Sequence, residues 1–112
     1  MMWNRRCWDR AVLGELEAAA LADCNEAVRL DPNVAAIVDS RAFTYLKMRQ
    51  WDSAIADYDS ALRHDPKMAT SLYGRGLARV NKGDRSGRNA DIAAAKAIKP
   101  AIAEEFAQYR VQ

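Results

Sequence analysis

Two sets of residues in this chain are of types that do chemistry: a pair of cysteines, and an arginine–aspartate series. Cys7 stands seven residues before Gly14 and Cys24 ten after it. In a helical hairpin turning at Gly14 the two would reach nearly the same level, both facing inward. A bridge there needs Cα atoms about 4.4–6.8 Å apart, and closing such a loop contributes on the order of 3 kcal/mol. The pair also reads as two free thiols packed as small hydrophobes. Asp23, Asp57 and Asp91 recur every 34 residues. Arg6, Arg41 and Arg75 recur alike once one extra residue is allowed near Ala18–Ala20. Arginine's planar fork can hold a carboxylate in two places, so a ladder of Arg–Asp pairs is one reading. Solvated surface charges of little energetic consequence are the other.

No further constellation supports catalysis. The single histidine, His64, has no metal-ligating neighbours in the spacing a zinc site needs. It reads as an ordinary exposed helix-end residue. Gly74-Arg75-Gly76 lies inside a helical stretch rather than at a strand-to-helix turn, so it fails as a phosphate loop. The serines have no histidine placed to activate them. The expectation is a protein that is not an enzyme, with no cofactor, no metal and no small-molecule substrate.

The elements that must position these residues follow from the same register. Ala22, Ala56 and Ala90 align, as do Ala27, Ala61 and Ala95, and Pro32, Pro66 and Pro100. A period of this length marks stacked supersecondary units. Each period holds two helical stretches. They are 3–12 and 15–30 around a turn at Gly14, then 35–48 and 52–63 around Arg49–Trp51. The third pair is 69–81 and 84–98 around Lys82–Gly83. Proline ends one hairpin and suits the start of the next, where its missing N–H costs nothing. Ala42 and Gly76, with Cys7 in the equivalent place, would let paired helices approach closely between larger residues such as Tyr58 and Ile92. After Pro100, Ile102, Phe106 and Tyr109 fall on one face of a final helix, which reads as a cap over the last unit.

Bulk properties agree. The chain has 112 residues, a net charge of +2, 50% apolar and 29% charged residues. That composition gives no reason to invoke nucleic acid or a membrane span, which needs about 18 consecutive apolar residues. The first residues, MMWNRRCWDR, carry no apolar stretch of the secretory type. The default expectation is therefore cytoplasmic, or periplasmic or secreted if Cys7 and Cys24 are bridged.

The second unit resembles the tetratricopeptide repeat, a 34-residue helix–turn–helix family. Ala42, Tyr45, Ala54, Tyr58, Ala61 and Pro66 match its small, aromatic and proline positions. The third unit matches through Leu72, Gly76, Ala95 and Pro100, with Arg79 and Arg88 as departures. The resemblance implies an all-α fold, a right-handed superhelix (α-solenoid) of three stacked hairpins plus a terminal helix. It implies one domain over 1–112, with units at about 1–34, 35–68 and 69–100 and a capping helix at 101–110. It also implies a concave groove, lined by the first helix of each unit, that binds a peptide or helix of a partner protein. The groove positions here are Asn4, Trp8, Asp39, Phe43, Leu46, Lys47, Tyr73, Leu77, Val80 and Asn81. Some members clamp acidic tails with Lys, Asn and Arg. Trp8 and Phe43 stand where that clamp has asparagines, and Thr70 and Gly74 where it has basic residues, so an apolar or amphipathic helix is the expected ligand. The alternatives are that Trp8 and Phe43 pack against neighbouring helices, that the first unit self-associates as a homodimer, or that the chain is an interaction arm of a larger protein.

Overall fold

A computed structural model of the chain describes residues 7–8 and 17–109. Within the continuous described stretch six helices follow one another: α1 Glu17–Leu30, α2 Ala35–Lys47, α3 Trp51–His64, α4 Ala69–Asn81, α5 Arg85–Ile98 and α6 Ile102–Gln108. Among the described residues there is no strand. No described helix is long and apolar enough to cross a membrane. Pro32 lies between α1 and α2, Pro66 between α3 and α4, and Pro100 between α5 and the terminal α6, as their conformational limits require.

Each helix packs on the next from α1 through α5, and α2 also packs on α4. The first helices of successive hairpins therefore lie side by side, which is the contact pattern of a helical repeat stack. The small residues allow the close crossings. Ala42 is fully buried, and a Cβ on Gly76 would lie 3.0 Å from Ile92 and 3.3 Å from the Arg88 carbonyl. Tyr58 fills the space beside Gly74, where any side chain would overlap its phenol ring. Phe43, Leu46, Leu72, Leu77, Ile92, Ile102 and Phe106 complete one continuous core.

Among the described residues, the two turns within hairpins are built alike. After α4, Gly83 takes φ 90°; its N–H donates to Val80 O, and that of Asp84 to Arg79 O at 2.8 Å. After α2, Arg49 takes φ 61°; its N–H donates to Leu46 O, and that of Gln50 to Tyr45 O at 2.9 Å. Both are Schellman caps, with a left-handed residue closing the helix. The expected turn at Arg49–Trp51 is corrected by one residue: this cap is complete at Gln50, so Trp51 begins α3. Asp84 likewise caps α5 from outside it, its carboxylate accepting from Gly87 N–H at 2.9 Å.

Candidate functional site

The first-helix face is built by α2 and α4, with Trp8 of the preceding helical segment beside them. Trp8 stacks on Phe43 with ring centroids 4.8 Å apart. Tyr73 continues the aromatic row along α4. This row is covered by the chain's own α6. Phe106 lies 4.7 Å from Tyr73 and 6.0 Å from Phe43. Tyr109, just past the end of α6, sits edge-on to Trp8 at 5.3 Å and to Phe43 at 5.6 Å. These separations are those of favourable aromatic pairs. Lys47 adds a polar contact, its Nζ donating to the Tyr109 carbonyl at 2.8 Å. A cation at the last carbonyls of a helix also complements its dipole.

Of the positions expected to line the groove, Trp8, Phe43, Lys47 and Tyr73 meet under α6. Leu46 and Leu77 are buried in the core behind them. Val80 is half-buried. Asn81 is exposed at the edge, its amide donating to Leu77 O at 2.8 Å. Asn4 lies outside the described residues.

Asp39 faces inward between α2 and α4. It accepts from Ser71 Oγ at 2.7 Å and from Thr70 Oγ1 at 3.3 Å. Burial raises its pKa to about 6 against the partial relief of those two hydroxyls. Thr70, at a position where some members carry a basic residue, is thus engaged internally.

Arg41 holds Asp57 through Nε and Nη2 at 2.7 and 2.9 Å, and reaches Asn25 at 3.3 Å. Arg75 holds Asp91 in the same two-pronged way at 2.9 and 2.8 Å, and reaches Asp59 at 2.8 Å. Each arginine therefore joins the second helix of its own hairpin, 16 residues ahead, to that of the preceding hairpin, 16 residues behind. Its hydrogen bonds to the carboxylates raise the pKa of both arginines above the usual guanidinium value. Arg79 gives Asp91 a third contact at 3.0 Å. The ladder is present in the second and third units. Asp23 is buried at the corresponding place in the first, while Arg6 lies outside the described residues.

Cys7 and Cys24 are joined as a disulfide with Cα atoms 4.8 Å apart, and both are fully buried. Thr44 of α2 packs its hydroxyl 3.1 Å from Cys24 Sγ and 3.7 Å from Cys7 Sγ. The same hydroxyl donates to Ser40 O at 3.0 Å. The bridge anchors the residue that immediately precedes Trp8, and so steadies one wall of the aromatic row. His64 closes α3, exposed. Gly74-Arg75-Gly76 lies inside α4.

Sequence reasoning missed two features. Asn25 and Asp59 share the 34-residue spacing that revealed the other rows, so the signal was available. Phe106 and Tyr109 were legible as an apolar face, but nothing local says that this face reaches back across α2.

A family model described as tetratricopeptide repeat aligns with residues 41–105, more than half of the chain. No curated protein matches it.

Proposed function

The chain belongs to the tetratricopeptide repeat family, and from that premise we propose that it is a non-catalytic interaction module. Its partner is a protein segment held against the first-helix face by apolar contact. The observation that carries this reading is the aromatic row of Trp8, Phe43 and Tyr73, which takes up the aromatic face of α6 and the residue after it. Aromatic side chains supply much of the energy of protein interfaces when seated in such rows. Repeats of this family generally mediate protein–protein contacts, and this row offers the chemistry for it.

Phe43 is 1% exposed and belongs to the core, so its truncation would damage the fold along with the face. Trp8 and Tyr73 are half-buried and make the better probes. Partners captured by the immobilised full chain should bind it directly in calorimetry. The Trp8→Ala/Tyr73→Ala variant, with helicity retained by circular dichroism, should lose that heat. Undiminished binding by the variant would remove the first-helix face from the function.

A further inference from the structure

We propose that α6 is a built-in competitor for the first-helix face, and that the partner displacing it is a short amphipathic helix with two aromatic residues three positions apart. This rests on the reading of that face as the partner site and specifies its ligand.

The two ends of α6 do different work. Ile102 is fully buried in the core, and Lys99 Nζ lies 2.9 Å from the Glu105 carboxylate, so the first turn is anchored on the last hairpin. The other end keeps Phe106 on Tyr73 of that hairpin while bringing it against Phe43 of α2, and carries Tyr109 beyond the hairpin onto Phe43 and Trp8. A helix needed only to cover the last hairpin has no reason to place one ring against Phe43, one hairpin back, and the next against Trp8, two hairpins back. What it offers there, two rings on one helical face with a terminal carbonyl on Lys47, is the chemical description of the ligand.

The occupant is also suited to being displaced. α6 has seven residues, far below the roughly 12–15 at which an isolated helix becomes marginally stable in water. It therefore owes its helicity to docking. Tethering supplies it at an effective concentration of about millimolar, enough to exclude weak ligands without excluding a matched one. If the face is open only a small fraction of the time, an external helix binds with its affinity reduced by that fraction.

The test uses a fluorescein-labelled synthetic peptide, AIAEEFAQYR, titrated into the full chain and read by anisotropy. The Phe106→Ala/Tyr109→Ala chain should bind it at least tenfold more tightly than the unaltered chain, and adding Trp8→Ala should abolish that gain. Equal affinity for both chains would overturn the competition while leaving the face as a binding site. No binding to the opened chain would overturn the ligand assignment. A tight complex insensitive to Trp8→Ala would overturn both this proposal and the functional reading beneath it. A concentration-dependent dimer of the unaltered chain in light scattering, lost in the Phe106→Ala/Tyr109→Ala chain, would assign α6 to a second copy and overturn the intramolecular occupancy. Should the double variant lose helicity, Tyr109→Ala alone leaves Phe106 in the core, and a gain of threefold or more carries the same test; no gain overturns it.

Discussion

Asp39 is a carboxylate that the fold holds at a cost. Its pKa is about 6 against 3.8 for the ordinary group, chiefly through burial. The folded state thus binds its proton more tightly than the unfolded chain does. The resulting stabilisation is fully present below pH 4 and is lost as the pH rises through 6. By pH 7 the difference amounts to on the order of 3 kcal/mol. Asp39→Asn keeps an oxygen for Ser71 and Thr70 without the charge. It should raise stability at pH 7 by about 1–3 kcal/mol and change little at pH 4, measured by urea unfolding at several pH values. A benefit equal at both pH values would exclude titration of Asp39 as its source. The nearby Tyr58 phenol is pushed upward by its own burial and by the charges of Asp39 and Asp57, so it stays neutral throughout this range. Arg49 is a second costly residue, since φ 61° crowds its Cβ. Arg49→Gly should raise the unfolding free energy by about 0.5–1 kcal/mol in the same assay; a loss would mean the arginine side chain contributes more than its backbone costs.

Between elements, the Arg–Asp ladder fastens second helices to one another through first-helix arginines. Asp57 and Asp91 are buried apart from these partners. Removing Arg41 takes away the cation that holds the shielded Asp57, which costs more than the pair itself is worth, whereas Asp91 without Arg75 would keep Arg79. Arg41→Met is expected to lower stability by about 1–3 kcal/mol, discounted from a fully buried pair because the arginine remains partly exposed. Thermal unfolding checks this, and 1 M salt should reduce the loss only modestly because Asp57 is little exposed. A variant as stable as the parent would relegate the ladder to surface decoration.

For the whole molecule, the disulfide decides how firmly Cys7 is held to α1 and hence how firmly Trp8 is presented, while the rest of the expected helix 3–12 and its turn at Gly14 lie outside the described residues. The two cysteines are 17 residues apart, a loop whose closure is worth about 3 kcal/mol on the chain-entropy estimate. Denatured, unreduced protein should therefore yield no reactive thiols, and reduction should lower the unfolding midpoint markedly. Two reactive thiols in the unreduced sample would refute the bridge. A persistent bridge points to an oxidising compartment, where such bonds survive.

The 34-residue register was enough to read an all-helical repeat stack, because Ala27, Ala61 and Ala95 recur buried where helices pack and the prolines recur where units end, although Ala22, Ala56 and Ala90 recur on the exposed face. Gly76 against Ile92, the bounds of the described helices to within two residues, and the face of Ile102, Phe106 and Tyr109 were all legible for that local, periodic reason. The cap at Arg49 was not, since the left-handed position is normally announced by glycine. The ladder was legible as two rows of like residues, but whether those rows meet depends on how deeply they are buried. Only the tertiary structure decided that Asp39 is internal, that each arginine spans two hairpins, and that α6 lies over Trp8 and Phe43. Those contacts join segments up to 101 residues apart, and no periodicity in a chain encodes where a non-repeating end comes to rest.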